Sequence, residues 1–224
     1  MISLYSGTPG SGKSLHIAQR IYHGLKVGRP TICNFEIKLD AIKKKYNKLP
    51  FMYIDNMDLE PEVLIDYAKE FWKGKKVKED SILLVIDECQ IIFNSREWQK
   101  GNRKEWLTFF SQHRKYGYEI VLVAQFDGMI DRQIRSLIEY NIMHRKASNF
   151  GIFGKVFTLL SFGSLFCAVK IWYPLNERID SKFFRGSKKY YNIYNSYDFF
   201  VDPTKVLKKK EPEEKQVATK VTPA

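Results

Sequence analysis

Apolar runs that are typical of buried strands alternate with segments of helical periodicity along the first two thirds of the chain. The strand-like runs cover residues 2–6, 31–35, 82–87, 119–125 and 140–146. The helical segments cover residues 13–27, 61–74, 105–116 and 131–138. Because strands that alternate with helices form a mostly parallel sheet with helices on both faces, the pattern predicts an α/β fold.

The pattern changes after residue 148, where Phe, Tyr and Gly become frequent and β-hairpins added to the sheet are expected. The nearly uncharged run from Val156 to Val169 is shorter than the roughly 17–25 apolar residues that cross a bilayer. We interpret it as two short strands joined by a turn at 161–164, with a membrane-associated segment as the alternative. These features predict a core over 1–148, a β-rich extension packed on it over 149–203 and a disordered, polar tail over 204–224.

Residues 7–14, Gly-Thr-Pro-Gly-Ser-Gly-Lys-Ser, match the phosphate-binding loop G-x-x-x-x-G-K-[ST] between a predicted strand and a predicted helix. Glycines let the backbone turn its N–H groups inward, so that these donors and the helix N-terminus hold phosphates. Lys13 would contact the β- and γ-phosphates, and the Ser14 hydroxyl would bind Mg²⁺. The predicted nucleotide-binding residues are Gly7, Thr8, Pro9, Gly10, Ser11, Gly12, Lys13, Ser14 and Leu15.

An acidic pair, Asp87 and Glu88, follows the buried strand at 82–87. Ligands of open α/β sheets bind at the carboxyl ends of the strands, so Asp87 can hold Mg²⁺ there together with Ser14. Glu88 is placed to orient and deprotonate an attacking water, which favours ATP hydrolysis over transfer to a small acceptor. The structural alternative is that Asp87 caps a following helix.

Gln125 closes the strand-like run at 119–125, where a polar side chain would point toward the γ-phosphate. A glutamine there can orient the lytic water or respond to the loss of the phosphate. The alternative is a strand-end glutamine that satisfies backbone groups.

The chain carries a formal net charge of +12 and has a pI of about 9.4, which favours nucleic acid or anionic lipid as a partner over a merely basic surface. Its three cysteines are widely spaced and form no CxxC, which argues against a disulfide framework and against a structural zinc site. With no secretory signal at the N-terminus, a reducing cytoplasm fits best.

The segments GTPGSGKS, TICNF, VIDECQ and SQHRKYG, the strand end Ala-Gln and a basic Ile-Arg segment together resemble the zonular occludens toxin (Zot)-like ATPases. These ATPases are similar to the assembly proteins of filamentous phages, in the FtsK/HerA-type branch of P-loop motors. The resemblance covers roughly residues 1–145, and the Tyr-rich stretch from Tyr190 to Phe200 also looks like the end of this family's cytoplasmic domain.

The resemblance implies a homo-oligomer that moves or extrudes phage DNA at the inner face of the host membrane, alone or with membrane-embedded assembly proteins. It also implies an arginine finger, which would stabilise charge on the transferring phosphoryl group of a neighbouring subunit. Arg114 is the first candidate for that role, and Arg132 and Arg135 are its rivals. The expected catalytic set is then Lys13, Glu88, Gln125 and Arg114. His113, on the apolar face of its helix, is either functional or a core histidine.

A basic cluster near the acidic pair could follow a phosphate backbone, with tryptophans for stacking, although a solvated helix face is the alternative. Its residues are Arg96, Lys100, Arg103 and Lys104, with Trp98 and Trp106 nearby. The sequence thus predicts an ATP- and Mg²⁺-dependent motor of phage assembly. Two other classes stay open: a nucleotide-dependent scaffold of a membrane complex, and a small-molecule kinase.

Overall fold

The computed structural model of the chain describes residues 1–42, 50–94, 102–150 and 164–193. In these residues eight strands form one sheet in the order β3-β2-β4-β5-β1-β6-β7-β8. The strands are β1 (Ile2–Ser6), β2 (Thr31–Cys33), β3 (Phe51–Tyr53), β4 (Ile82–Ile86), β5 (Tyr118–Val123), β6 (Tyr140–Lys146), β7 (Leu165–Trp172) and β8 (Glu177–Arg185). The first six strands pair in parallel, and β7 and β8 continue the sheet as antiparallel strands beyond β6.

Helices cover both faces of the sheet and bury two separate apolar clusters. The helices are α1 (Lys13–Lys26), α2 (Pro61–Trp72), α3 (Arg103–Gln112), α4 (Arg132–Arg135) and α5 (Lys188–Tyr191). Residues of α2, α3 and α4 pack on one face, and residues of α1 and α5 pack on the other. The predicted α/β fold with β-hairpin additions is therefore confirmed.

Alternation along the central strands explains why both faces are apolar. In β4, Leu84 and Ile86 belong to the cluster beneath α2 and α3, whereas Leu83 and Val85 belong to the cluster beneath α1. Successive side chains of a strand point to opposite faces, so a continuous apolar run fills both cores at once.

Three elements differ from the sequence-based expectation. The second strand ends at Cys33 instead of residue 35, because the Asn34 side chain bonds the backbone beyond β4. The helix expected over 131–138 is the single turn of α4, and Asp131 accepts a hydrogen bond from the Gln133 backbone as its N-cap. β3 has three residues, too few for a recognisable period.

The second of the two strands predicted in the run from Val156 to Val169 corresponds to β7, which extends to Trp172 and pairs with β6 and β8. The first of them lies outside the described residues, as does the predicted tail over 204–224. Among the described helices, none has both the length and the apolar composition needed to cross a membrane.

Candidate active site

The loop at residues 7–14 leaves the end of β1 and enters α1, and two of its glycines lie too close to neighbouring groups for a side chain. A Cβ on Gly7 (φ +141°) would stand 2.5 Å from the His144 carbonyl oxygen, and one on Gly12 (φ +98°) would stand 2.6 Å from the Phe166 ring. Both φ values also lie in the region that glycine tolerates best. The loop conformation therefore requires glycine at these two positions.

Lys13 lies at the centre of the site. Its Nζ donates hydrogen bonds to the carbonyl oxygens of Gly7 (2.6 Å) and Thr8 (3.3 Å). Burial lowers the pKa of Lys13, and the carboxylates of Glu88 and Asp87 act against that shift. The two carboxylates are therefore electrostatic neighbours of Lys13, so the fold brings the loop and the acidic pair to one place.

Asp87 is 6% exposed, and the residue that follows a neighbouring strand fixes its backbone. Asn34, which follows β2, accepts a hydrogen bond from the Asp87 N–H at 2.7 Å and donates one to the Asp87 carbonyl at 2.8 Å. Asn34 also donates to Asn56 Oδ1 at 2.7 Å. The sequence predicted 31–35 as a strand and as part of a resemblance, but not this positioning role, because the pair of hydrogen bonds depends on β2 lying beside β4.

Glu88 has a left-handed backbone conformation (φ 45°, ψ 44°), which is uncommon for a residue other than glycine. Such conformations persist when the surrounding structure fixes them, and they are concentrated at functional sites. Gln90 donates a hydrogen bond to the Glu88 carboxylate and so fixes its orientation. Asp87 does not cap a regular helix: its Oδ1 accepts from the Glu88 N–H at 2.9 Å, ahead of a 3₁₀ turn at Cys89–Ile91.

Gln125 lies beside the phosphate loop, because β5 runs between β1 and β4 in the sheet. Its carbonyl oxygen accepts a hydrogen bond from Gly7 N–H at 3.2 Å. The side chain is exposed and lines a cavity of about 510 Å³ together with Gly7 and Thr8. The fold thus places Gln125 between the loop and the acidic pair along the same edge of the sheet.

The remaining residues of the loop differ in how much of their surface is exposed to solvent. Thr8, Pro9 and Gly10 are exposed at the tip of the loop. The side chain of Leu15 is 5% exposed, so only its backbone can face a ligand. Ser11 is 3% exposed, and its hydroxyl has no hydrogen-bond partner within the described part of the chain. A buried hydroxyl without a partner costs free energy, and a phosphate oxygen would satisfy it.

Two histidines flank the loop. His16 in the first turns of α1 and His144 in β6 share a hydrogen bond of 2.8 Å between Nδ1 and Nε2. Burial lowers the pKa of His16 to about 4, with Arg20 and Lys182 adding to the effect. Burial also lowers the pKa of His144 to about 3. Both rings are therefore neutral at pH 7. Sequence reasoning missed both residues.

The three candidate arginines lie in other parts of the subunit than the phosphate loop. Arg114 precedes β5 at the opposite edge of the sheet and pairs with Glu139 at 3.3 Å. Arg132 is exposed on α4, and Arg135 on the same helix is partly buried. An arginine finger from any of them would have to act on a second copy of the chain.

His113 is a core histidine, 7% exposed, with Nδ1 at 2.6 Å from the Phe110 carbonyl and Nε2 at 2.9 Å from the Met1 amino group. Of the predicted basic cluster and its tryptophans, the structure describes Arg103, Lys104 and Trp106. Trp106 is 1% exposed within the aromatic core and so cannot stack on bases, and Arg103 pairs with Asp131 at 3.4 Å. Lys104 lines an open groove between α2 and α3. The other members, Arg96, Trp98 and Lys100, lie outside the described residues.

A family model described as "Zonular occludens toxin (Zot)" matches residues 1–198. The chain belongs to the Zot family. The chain is 24% identical over 204 residues to the Gene 1 protein of Enterobacteria phage f1, and the match covers 86% of this chain and 57% of that protein. It is 28% identical over 144 residues to the putative assembly protein ORF301 of Pseudomonas phage Pf3, covering 63% of this chain and 42% of that protein. The chain thus spans about half the length of the curated relatives it matches.

The fold of this Zot-family chain is also similar to that of B204, the DNA-packaging ATPase from Sulfolobus turreted icosahedral virus. The TM-score is 0.51 at 17% sequence identity, over 83% of this chain and 97% of B204. At this identity the likeness concerns the fold, and it agrees with the P-loop architecture built above from β1, α1 and β4.

Asn34 offers a test of how the acidic pair is positioned. Asn34→Leu removes the hydrogen bonds that the Asn34 side chain makes with the N–H and the carbonyl of Asp87, which should lower the free energy of unfolding by about 1–3 kcal/mol. We also expect ATP turnover to fall on the order of tenfold through misplacement of Asp87 and Glu88. Urea unfolding and steady-state ATPase measure the two effects. Asn192→Leu, at an exposed asparagine that follows α5, is the control variant; equal effects of the two changes would contradict the assigned role.

Proposed function

We propose that this chain hydrolyses ATP with Mg²⁺ and uses that reaction to move DNA, or to extrude the virion, during filamentous phage assembly. The observation that carries the proposal is the convergence of Lys13 with Asp87 and Glu88 at the carboxyl ends of β1 and β4. This convergence supports a phosphate-hydrolysing site, which needs a phosphate-binding loop, a cation and an oriented carboxylate close to one another.

Each residue of the site has its own role in the proposed hydrolysis. The loop amides at 7–14 and Lys13 hold the β- and γ-phosphates, and Lys13 would exchange its bonds to Gly7 and Thr8 for phosphate oxygens. The Ser14 hydroxyl and the Asp87 carboxylate are hard oxygen donors that suit Mg²⁺, which supplies charge neutralisation between the phosphates. Glu88, held by Gln90, accepts the proton of the attacking water. Gln125 orients that water from the neighbouring strand.

The DNA and assembly parts of the proposal have separate support. A net charge of +12 favours a polyanionic partner. The Pf3 relative is named a putative assembly protein, and the structurally similar B204 is named a DNA-packaging ATPase. By the same reasoning we propose a homo-oligomer in which Arg114, Arg132 or Arg135 reaches the γ-phosphate of the next subunit. We further propose that it works in the cytoplasm, peripherally at the inner face of the host membrane with membrane-embedded assembly proteins.

DNA should stimulate the ATPase several-fold, because a motor couples turnover to engagement of its track. Steady-state phosphate release with Mg²⁺–ATP is measured without DNA and with single- or double-stranded DNA. The Lys13→Ala variant, prepared in parallel, reports any contaminating activity. The stimulation should weaken as salt rises, since phosphate contacts release counterions.

The other outcomes of this experiment distinguish the alternatives. Turnover that DNA leaves unchanged, together with co-sedimentation of the chain with anionic vesicles, would replace the motor with a nucleotide-dependent membrane scaffold. Transfer of the γ-phosphate to a small acceptor instead of water would point to a kinase. Either result would contradict the proposed coupling to DNA.

A further inference from the structure

The hydrogen bond between His16 and His144 joins the two ends of the phosphate loop. His144 stands at the entrance: its Nδ1 lies 3.3 Å from the Ser6 carbonyl oxygen, and its own carbonyl oxygen stands where a Gly7 side chain would be. His16 stands at the exit, since it lies two residues beyond Ser14, and its N–H donates to the Gly12 carbonyl at 3.0 Å. The loop of residues 7–14 is thus enclosed between two side chains bonded to each other at 2.8 Å.

The hydrogen-bond partners assign one arrangement of protons to this pair. A carbonyl oxygen only accepts, so the tautomer of His144 that bonds Ser6 donates from Nδ1, and we assign that tautomer here. A neutral His144 then accepts at Nε2, and His16 donates to it from Nδ1. The chain of bonds from His16 through His144 to Ser6 is therefore complete and directional.

The C-terminal extension covers this pair. The Phe184 ring of β8 lies 4.9 Å from the His16 ring and 6.1 Å from the His144 ring, and it stacks on Phe166 at 5.6 Å. Phe166 in turn packs against Gly12. The Tyr5 ring closes the opposite side, 5.0 Å from each histidine. Residues of β1, β7 and β8 thus pack around the pair, in which His144 is buried and His16 is partly buried.

We propose that His16 and His144 are positioning residues that clasp the phosphate loop in its binding conformation, and that the β7–β8 hairpin is required to keep this clasp closed. The role of the two histidines is to hold the entrance and the exit of the loop at a fixed separation, so that the loop amides are already arranged before the ligand arrives. This inference rests on the proposed nucleotide binding, but it requires no hydrolysis.

The test is calorimetric titration with Mg²⁺–ATPγS, accompanied by thermal melting of each variant. His16→Leu removes the hydrogen bond to His144, so the loop is no longer held in its binding conformation and nucleotide affinity should fall about tenfold. His16→Asn places an amide nitrogen where Nδ1 was and should restore affinity to within about threefold of the wild type. His23→Leu is the matched control on the same helix, because His23 is exposed and bonds only Tyr190 among the described residues.

Phe184→Ala probes the hairpin and should weaken affinity in the same direction as His16→Leu. Weaker binding by His16→Leu, with recovery in His16→Asn, supports the clasp. Unchanged affinity in His16→Leu would overturn it. Equal losses of affinity and melting temperature in the Leu and Asn variants would also overturn it, because they indicate a packing role alone. A wild-type chain that binds no nucleotide would refute the proposed function as well, whereas binding without turnover would refute only hydrolysis.

Discussion

Glu88→Gln is expected to lower ATP turnover by about 10²- to 10⁴-fold, the usual contribution of a general base, while Mg²⁺–ATP still binds. Glutamine keeps the size of the side chain and can remain bonded to Gln90, but it cannot accept a proton from water. The loop at 7–14 and Lys13 stay unchanged, so the groups that hold the triphosphate remain in place. Single-turnover phosphate release and calorimetric titration with Mg²⁺–ATPγS measure the two quantities separately.

Two further variants make the Glu88 result specific. Glu70→Gln removes an exposed carboxylate of α2 that pairs only loosely with Lys73, and turnover should stay at the wild-type level. Lys13→Ala removes the cation that contacts the phosphates and should lose affinity as well as turnover. If Glu88→Gln turned over ATP at the wild-type rate, another group would be the base, and the hydrolytic mechanism proposed for the acidic pair would be wrong.

The position of the candidate nucleotide site in the fold could be predicted because short stretches of sequence specify it. The loop motif spans eight consecutive residues, and Asp87 and Glu88 follow a run whose apolar character already indicates a buried strand. The rule that ligands bind at the carboxyl ends of parallel strands then brings these segments together without further knowledge. The same rule predicted that Gln125 lies near the phosphates, and the strand order places it next to the loop.

The supports of the site could not be predicted, because they depend on which strands become neighbours. Asn34 reaches Asp87 only since β2 lies beside β4, and His16 meets His144 only since β6 lies beside β1. Nothing in the residue pattern specifies that order. The strand β3 was missed because three residues show no period. The bounds of β8 within the expected hairpins could not be given, because β8 is exposed along most of its length and its residues are largely polar.

An ion triad at the other end of the sheet was missed for the same reason. Glu119 in β5 is 4% exposed on its side chain and pairs with Arg20 of α1 and with Arg29, the latter at 2.6 Å. Arg20 also donates to the Tyr5 hydroxyl at 2.9 Å, and Arg29 donates to the Asp80 carbonyl at 2.6 Å. The triad therefore connects α1, the helix that follows the phosphate loop, to the central strands and to the loop before β4.

Glu119→Ala is expected to lower the free energy of unfolding by about 3–5 kcal/mol, because it leaves two largely buried guanidinium groups without their shared carboxylate. Urea unfolding followed by circular dichroism gives the change, with comparable slopes for wild type and variant showing that the same surface unfolds. Glu139→Ala is the matched control: its ion pair with Arg114 is far more exposed and should contribute less than about 1 kcal/mol. Should the two variants prove equally stable, the triad would contribute no more than a surface pair, and the anchoring of α1 would have to come from its apolar face alone.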